Sequence, residues 1–130
     1  MDFAFEAQPC VARPFNVSAG EVVVTQGDTD RDLFIIEMGS CESFIGDSTE
    51  PMEFLPEGSF FGEMSFFGLA QKRAATIITT TYSELNWLSY RDFSDVLDSD
   101  IDLRRRMCDF ATLRRTMYEM DETDLEVSLQ

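Results

Sequence analysis

Short apolar segments separated by turn residues occupy most of the first ninety positions, and their alternation predicts β-strands. Val11, Phe15 and Val17 alternate with other residues, and Pro14 restricts that segment to a sheet edge or a bend. Most further segments are bounded by turn residues such as glycine. Strands are predicted there at 21–25, 32–37, 41–45, 52–55, 74–81 and 83–89. Such a series of short strands favours a sandwich, barrel or jelly roll.

The pattern changes to a helical period after residue 89. Two S-x-x-D motifs, which start at Ser89 and Ser99, match capping boxes with Asp in place of Glu, so one helix is predicted from each. The second helix carries an apolar stripe with 4-3-4-3 spacing: Leu103, Met107, Phe110, Arg114 and Met117. Residues 90–119 are therefore assigned to C-terminal helices, and the acidic residues 120–130 to a loose tail.

Arg114 stands in this stripe where an apolar side chain is expected. A guanidinium at that position either extends to solvent at the helix edge or contacts an anion. From the residues alone, extension to solvent is the favoured interpretation.

Composition and charge exclude several classes of function. The 130 residues carry 10 basic and 25 acidic side chains, a net charge of −15, and no histidine. Without histidine, a Ser–His or Cys–His nucleophile pair, a histidine-bound metal and a histidine general base are excluded. The acidic balance argues against a nucleic-acid partner, because a phosphate backbone needs a basic surface. Asp28, Asp30 and Asp32 lack the glycine and glutamate of a calcium loop, so we expect a turn and no metal.

Cysteine content and the N-terminal sequence bear on location. Cys10, Cys41 and Cys108 are far apart and odd in number, which indicates reduced thiols of an intracellular protein. Residues 1–9 lack the basic start and apolar run of a signal peptide, and no apolar run is long enough to span a bilayer. We expect a cytoplasmic location without direct membrane contact, as a free protein or as the cytoplasmic domain of a membrane protein.

Residues 58–76, GSFFGEMSFFGLAQKRAAT, hold the candidate chemistry. Gly62 opens a turn that leaves the amides of residues 63–65 free at the start of a short helix, where they can point at a phosphate. Arg73 supplies a charge-assisted partner for the same anion. Glu63 would repel a phosphate, so its carboxylate suits a hydroxyl, such as that of a sugar. One anion and one hydroxyl together describe a nucleotide with a single phosphate.

This segment resembles the phosphate-binding cassette of cyclic nucleotide-binding domains. The matching residues are Phe61-Gly62-Glu63-Met64-Ser65 and, after a spacer, Arg73-Ala74-Ala75-Thr76. The family's first strands and turns are similar to three upstream motifs, Gly20-Glu21-x-Val23, Gly27-Asp28 and Leu33-Phe34-Ile35-Ile36-x-x-Gly39. The resemblance covers about residues 13–118, and FGE followed by RAAT at this spacing is a specific signal.

The resemblance implies a mainly β fold, an eight-stranded jelly roll with a short cassette helix and two C-terminal helices. Residues 1–9 would form a short N-terminal segment and residues 10–89 the jelly roll. In this family the Glu at position 63 holds the ribose 2′-hydroxyl, and the Arg at position 73 holds the cyclic phosphate. The implied cradle also includes Gly62, Met64, Ser65 and Ala75, with Phe61 beside them.

The resemblance also bears on the base. Ala74 occupies a position where Thr favours cGMP and Ala fits cAMP, so cAMP is the expected ligand and cGMP the second candidate. The last helix closes over the purine as a lid. By its offset from Phe93 it resembles that of cyclic nucleotide-gated and hyperpolarisation-activated channels, which cap the base with residues near 114 and 117–118. Arg114, Met117 and Tyr118 are therefore candidate lid residues, and for Arg114 ligand contact and solvent exposure become equally favoured.

The function predicted is a cAMP-sensing regulatory domain without catalysis, which couples ligand binding to lid movement and to an attached or separate effector. An ion channel or another membrane transport protein is the first candidate effector. A kinase regulatory subunit and a free-standing sensor are alternatives, and the nearly absent N-terminal helix fits either an excised domain or a short free-standing one. A second hypothesis is a ligand-free interaction domain of the same fold. A cupin-like enzyme would need histidine, and a transcription factor of the catabolite-activator type would need a helix-turn-helix.

Overall fold

Eight strands and three helices make up residues 11–128, the part of the chain that the computed structural model describes, with side chains described as far as residue 119. The strands are β1 (Arg13–Val17), β2 (Val22–Val24), β3 (Leu33–Met38), β4 (Cys41–Phe44), β5 (Glu53–Leu55), β6 (Phe60–Phe61), β7 (Thr76–Thr79) and β8 (Ser83–Leu88). The helices are α1 (Glu63–Phe66), α2 (Tyr90–Asp98) and α3 (Ile101–Ser128). The predicted mainly β fold with C-terminal helices is confirmed. The predicted N-terminal segment, residues 1–9, and Cys10 lie outside the described residues.

Two four-stranded antiparallel sheets form the layers of the jelly roll. Their strand orders are β1-β8-β3-β6 and β2-β7-β4-β5. β1 lies at the edge of the first sheet, with Phe15 opposite Leu85 of β8. Pro14 is tolerated in this strand because an edge strand needs a hydrogen-bonding neighbour on one side only. The predicted restriction of this segment to an edge is confirmed.

The first sheet is covered on both faces, which explains the continuous apolar run in β3. Leu33 and Ile35 pack in a cluster with the helices, whereas Ile36 packs in the cluster between the two sheets. Phe60 and Phe61 of β6 divide in the same way, Phe60 toward the helices and Phe61 toward the second sheet. Successive side chains of a strand point to opposite faces, so a strand buried on both sides shows no polar alternation. β6 was not predicted as a strand, because two residues are too few to show a period.

The helices pack on the first sheet as the apolar pattern predicted. Ser89 caps α2, and its hydroxyl accepts the amide of Asp92 at 3.2 Å. Phe93 and Leu97 of this helix are fully buried, and Met107 of α3 joins the same cluster. The cluster fixes α2 and the start of α3 against the sheet beside α1.

The N-cap of α3 differs from the prediction. Asp100, and not Ser99, accepts the amide of Leu103, at 3.1 Å through its Oδ1 atom. The amide of Ser99 instead donates to the carbonyl of Val96, and its hydroxyl donates to the carbonyl of Asp95. Only two residues separate the helices, so the first closes α2 and the second starts α3.

The last helix is also longer than predicted. α3 continues to Ser128, through residues 120–128 that the acidic composition assigned to a loose tail. No glycine or proline follows Gly68 in the sequence, so no residue type that ends helices interrupts this one. The acidic content therefore does not mark the end of the helix.

The corrected cap gives a test of the fold. We expect Asp100→Ala to lower the free energy of unfolding by about 1 kcal/mol, because an N-cap carboxylate satisfies an amide that the helix leaves unpaired. Ser99→Ala is the matched control and should change that free energy by less than about 0.5 kcal/mol. Urea denaturation followed by circular dichroism measures both. A larger effect of Ser99→Ala than of Asp100→Ala would restore the capping box at Ser99.

Candidate functional site

One cavity lies between α1, the second sheet and α3, and it gathers the predicted site residues. All but one of them line it: Phe61, Gly62, Glu63, Met64, Ser65, Arg73, Ala74, Ala75, Arg114 and Tyr118. The remaining lining comes from Val24, Glu53, Leu55 and Ile77. The empty space of this cavity, including its open mouth, is about 380 Å³. The cassette and the lid therefore face each other across one space.

Met117 is the exception among the predicted lid residues. It does not line the cavity, and 47% of its surface is exposed. The most buried side chains of α3 follow a 4-3-4 spacing instead: Met107, Ala111, Arg114 and Tyr118. Met117 falls beside this inward face and does not line the cavity, so its role in capping the base stays a prediction. Tyr118 is the lid residue that reaches the cavity next to Arg114.

The turn into α1 requires glycine at position 62. Gly62 has a φ of 94°, a region that side chains with a Cβ rarely adopt. A Cβ at this position would lie 2.7 Å from Nη1 of Arg73 and 2.7 Å from the carbonyl oxygen of Asp32. The carbonyl of Gly62 accepts the amide of Phe66 at 3.0 Å, which closes the single turn of α1. The glycine thus lets the arginine pass directly beneath the turn.

Arg73 is buried and held on three sides. Its Nη2 atom donates to Oδ2 of Asp30 at 2.5 Å and to the carbonyl of Asp32 at 2.7 Å. Its Nε atom lies 3.4 Å from Oδ1 of Asp30, and Nη1 donates to the carbonyl of Gly62 at 3.1 Å. A guanidinium has five N–H groups, and these contacts use four of them. One N–H on Nη1 is left for a ligand, on a side chain that lines the cavity.

Glu63 and Arg114 form a buried ion pair that joins the cassette to the lid. Nη1 of Arg114 donates to Oε1 of Glu63 at 2.6 Å and to the carbonyl of Phe60 at 3.0 Å. Glu63 is 1% exposed and Arg114 is 6% exposed. Solvent exposure of Arg114 was favoured from the residues alone, and that interpretation is wrong because two carboxylates draw the guanidinium inward.

The two partners of this pair respond differently to burial. Burial raises the pKa of the Glu63 carboxyl above its usual value, and the charge of Arg114 opposes the rise only in part. Burial lowers the pKa of Arg114, but the charges of Glu63 and Glu53 raise it by more. The arginine therefore stays protonated. The second carboxylate oxygen of Glu63, Oε2, is buried and has no hydrogen-bond partner among the described residues. A buried acceptor without a partner beside a cavity is suited to a ligand hydroxyl.

Glu53 and Ser43 complete the contact of the lid with the second sheet, and the sequence had given neither of them a role. Nη2 of Arg114 donates to Oε2 of Glu53 at 3.2 Å, and the hydroxyl of Tyr118 donates to Oε1 of Glu53 at 3.0 Å. The same hydroxyl lies 2.9 Å from Oγ of Ser43. Because the Glu53 carboxylate can only accept, the Tyr118 hydroxyl uses its proton there, and Ser43 is the donor to Tyr118. Burial raises the pKa of Tyr118, so its hydroxyl keeps the proton that it donates.

Arg31 is a further residue without a predicted role, and it ties α1 to α2. Its Nε donates to the carbonyl of Ser65 at 3.0 Å, and its Nη2 donates to that of Phe66 at 2.8 Å. Its guanidinium lies 4.0 Å from the ring centroid of Tyr90, the first residue of α2. The carbonyls at the end of α1 are satisfied by this cation. Its position among three aspartates was the signal that sequence analysis had read only as a turn.

Two aspartates of the same loop, Asp30 and Asp32, have structural partners for their side chains. Asp30 binds Arg73, as described above. Oδ1 of Asp32 accepts the amide of Tyr90 and Oδ2 accepts Nε1 of Trp87, both at 2.8 Å. Among the described residues, no group of three or more His, Cys, Asp or Glu side chains is arranged to hold a metal ion. Within the same part of the chain, no helix combines the length and apolar character needed to cross a membrane.

Comparison with known proteins gives a family match over most of the chain. Residues 14–100 match the family described as the cyclic nucleotide-binding domain. The cAMP-dependent protein kinase regulatory subunit of Pyricularia oryzae is 28% identical over 107 residues, which cover 82% of this chain and 25% of that protein. The cyclic nucleotide-gated channel alpha-4 of Mus musculus is 32% identical over 90 residues, which cover 65% of this chain and 16% of the channel. The chain therefore spans a quarter or less of these relatives.

Solved structures agree with the fold. A structure from work on a cyclic-GMP-dependent signalling pathway in bacterial phytopathogenesis has a TM-score of 0.75 at 21% identity, covering 88% of this chain and 95% of that one. The Thermus thermophilus catabolite activator protein has a TM-score of 0.65 at 21% identity, covering 92% of this chain and 55% of that one. At this identity the likeness concerns the fold, and it confirms the predicted jelly roll.

The buried pair makes a quantitative prediction for the ligand-free protein. Arg114→Met removes the counterion of Glu63 and should lower the free energy of unfolding by about 3–5 kcal/mol, because a buried charge is left unpaired. Adding Glu63→Gln to that variant should recover part of the loss. Arg115→Met, at a half-exposed neighbouring position, is the control and should cost less than about 1 kcal/mol. Equal effects of the two arginine substitutions in urea denaturation would contradict the ion pair.

Proposed function

Because the chain belongs to the cyclic nucleotide-binding domain family, we propose that it binds a cyclic nucleotide between the cassette and the lid and acts as a regulatory domain without catalysis. The observation that carries this proposal is the state of the two key side chains. Glu63 has a buried carboxylate oxygen without a partner, and Arg73 has one N–H left over, on the same cavity. An acceptor and a cationic donor on one cavity match a sugar hydroxyl and a phosphate on one ligand.

The cyclic phosphate binds at the cassette. Arg73 supplies its remaining N–H and its charge. Asp30 keeps the guanidinium in place and is not one of the residues that line the cavity. Gly62, Met64, Ser65 and Ala75 line the same cavity, and their amides are the uncharged donors proposed for the phosphate. Oε2 of Glu63 accepts the ribose 2′-hydroxyl while Oε1 stays with Arg114. The carboxylate can serve both because each oxygen has two lone pairs.

The base extends from the sugar toward the lid, and cAMP is the preferred ligand. Ala74 lines the cavity beside Arg73, and alanine offers no hydroxyl to a guanine. The similarity to a cAMP-dependent protein kinase regulatory subunit supports this choice. The cyclic nucleotide-gated channel and the structure tied to a cyclic-GMP pathway keep cGMP as the second candidate. Arg114 and Tyr118 are the lid residues that face the base.

Regulation follows from the connection of the site to α3. A ligand that contacts Glu63 and the lid together favours one position of α3 over others, and the difference in affinity sets the size of the shift. The effector that reads this movement is an ion channel or another membrane transport protein, with the protein in the cytoplasm. The likeness of the lid helix to channel domains and the 32% identity to a channel subunit support this choice. A kinase-like or free-standing sensor is the alternative.

A ligand-free interaction domain is the second candidate function, and one observation favours it. Arg114 bonds with Glu53 and Glu63, and Tyr118 bonds with Glu53, so protein groups hold the lid side of the cavity. Arg73 likewise has a carboxylate partner in Asp30. The unpartnered Oε2 of Glu63 favours the sensor, because a finished internal network would satisfy it. Nucleotide titration separates the two.

Calorimetric titration of the protein with cAMP and cGMP tests the proposal. We expect micromolar or tighter binding, with cAMP the tighter ligand. Removal of one partner of a buried charge pair costs about 2–5 kcal/mol, which weakens affinity about 30-fold to about 5,000-fold. Arg73→Glu also reverses the charge beside the phosphate, so it should abolish measurable binding. Lys72→Glu makes the same charge change at the exposed neighbouring residue and should bind like the wild type.

Arg73 also holds the turn at Gly62, so folding of the variant is checked by thermal unfolding. Should Arg73→Glu fail to fold, Arg73→Lys keeps the charge but lacks the fork, and we expect it to weaken binding by about tenfold or more. Absence of cAMP and cGMP binding to the wild type, or equal affinities of the wild type and the folded Arg73 variant, would favour the ligand-free domain.

A further inference from the structure

Glu53 receives two hydrogen bonds from the lid, and no step of cyclic nucleotide binding described above needs it. It lies in β5, the edge strand of the second sheet, outside the cassette. Arg114 donates to one of its carboxylate oxygens at 3.2 Å, and Tyr118 donates to the other at 3.0 Å. Arg114 and Tyr118 are four residues apart on α3, so one carboxylate spans one turn of the helix.

The aliphatic contacts of α3 with the first sheet end before this point. Met107 and Ala111 are fully buried, and the ring of Phe110 packs on Phe60 with 5.0 Å between centroids. Further along, Leu113 is 58% exposed and Met117 is 47% exposed. Between residues 112 and 119, the described buried side chains of α3 are those of Arg114 and Tyr118. Docking of this part of the helix therefore depends on the buried ring of Tyr118 and on the polar contacts of Arg114 and Tyr118 with Glu53, Glu63, Phe60 and Ser43.

Of these contacts, those with Glu53 connect the lid residues Arg114 and Tyr118 to a carboxylate that lines the cavity but lies outside the cassette. Glu63 belongs to the cassette, and its bond with Arg114 is expected to respond to the ligand. The Glu53 carboxylate lies on the sheet and is about a quarter exposed as a side chain, at 24%. Its bonds to the lid join protein groups alone, Nη2 of Arg114 and the hydroxyl of Tyr118. A partly exposed carboxylate can release its two donors at a smaller desolvation penalty than a fully buried one.

We propose that Glu53 is a latch that holds the lid helix over the cavity before a nucleotide arrives, so that a ligand enters only when both bonds to Glu53 open. The control of nucleotide entry rests on the proposed function. The latch itself does not, because it can be measured in the protein without a nucleotide. Glu53 is a positioning residue: it acts on the site through Arg114 and Tyr118. Opening of the lid detaches residues 112–119 from the sheet and leaves them as a helix without tertiary packing, which frays.

Hydrogen exchange of the ligand-free protein tests the latch directly. In Glu53→Gln, the amides of residues 112–119 should exchange about tenfold faster than in the wild type, equal to about 1.4 kcal/mol of easier opening. Glutamine has the same shape but lacks the charge that Arg114 binds. Exchange in α2 should not change, because α2 packs through Phe93 and Leu97. Glu57→Gln is the matched control, an exposed glutamate in the turn after β5, and should match the wild type throughout.

Unchanged exchange at residues 112–119 in Glu53→Gln would overturn the latch. Should Glu53→Gln raise exchange in α2 as well, the variant is unstable overall, and Tyr118→Phe decides instead. It removes one hydroxyl, with its bond to Glu53 and its bond with Ser43, and we expect exchange at residues 112–119 to rise about threefold or more. No increase in that variant would also overturn the proposal.

Association kinetics separate this proposal from the proposed function. With a fluorescent cAMP analogue in stopped flow, Glu53→Gln should associate about fivefold faster and also dissociate faster, because lid opening precedes both steps. A residue that only stabilises the fold would not change both rates together. Absence of cAMP binding by the wild type refutes the proposed function, while the exchange result still tests the latch. Wild-type association rates in Glu53→Gln would contradict control of entry.

Discussion

The ion pair between Glu63 and Arg114 is the contact on which the arrangement of cassette and lid depends. Both partners are buried, and the pair links the first turn after Gly62 to Arg114 of α3, 51 residues later in the chain than Glu63. Two charges removed from water are tolerated only when they meet each other and further hydrogen-bonding partners. Arg114 finds those partners in Glu53 and in the carbonyl of Phe60. The same carboxylate that fixes the lid is therefore the group that is left with one open acceptor for a ligand.

Burial of the first sheet on both faces places these charges. Phe60 and Phe61 are neighbours in the chain and point to opposite clusters, which brings the turn at Gly62 between the helices and the second sheet. Arg73 then passes beneath that turn, and Arg31 binds the end of α1 from the same loop that supplies Asp30. The apolar clusters thus fix the strands and helices, and the charged contacts then hold the Gly62 turn and α1 against α2 and α3.

The parts of the site that lie close together in sequence were predictable, and the parts joined over long distances were not. Glu63 and Arg73 belong to a compact motif whose spacing carries the chemistry. The contact of Glu53 with Arg114 joins positions 61 residues apart, and no local pattern marks it. The cap of α3 was misplaced by one residue, because Ser99 and Asp100 are both good caps and only the short connection decides between them. Of the predicted lid residues, Tyr118 lines the cavity and Met117 does not, because the buried face of α3 continues from Arg114 to Tyr118, whereas the predicted apolar stripe continued to Met117.

The most direct test of the account compares calorimetric titrations with cAMP and with 2′-deoxy-cAMP. Both ligands carry the same base and the same cyclic phosphate, and only the first offers a hydroxyl to the open oxygen of Glu63. We expect cAMP to bind and 2′-deoxy-cAMP to bind at least about tenfold more weakly, because the second ligand leaves a buried carboxylate oxygen of Glu63 unpaired. Equal affinities for the two nucleotides would contradict the role of Glu63.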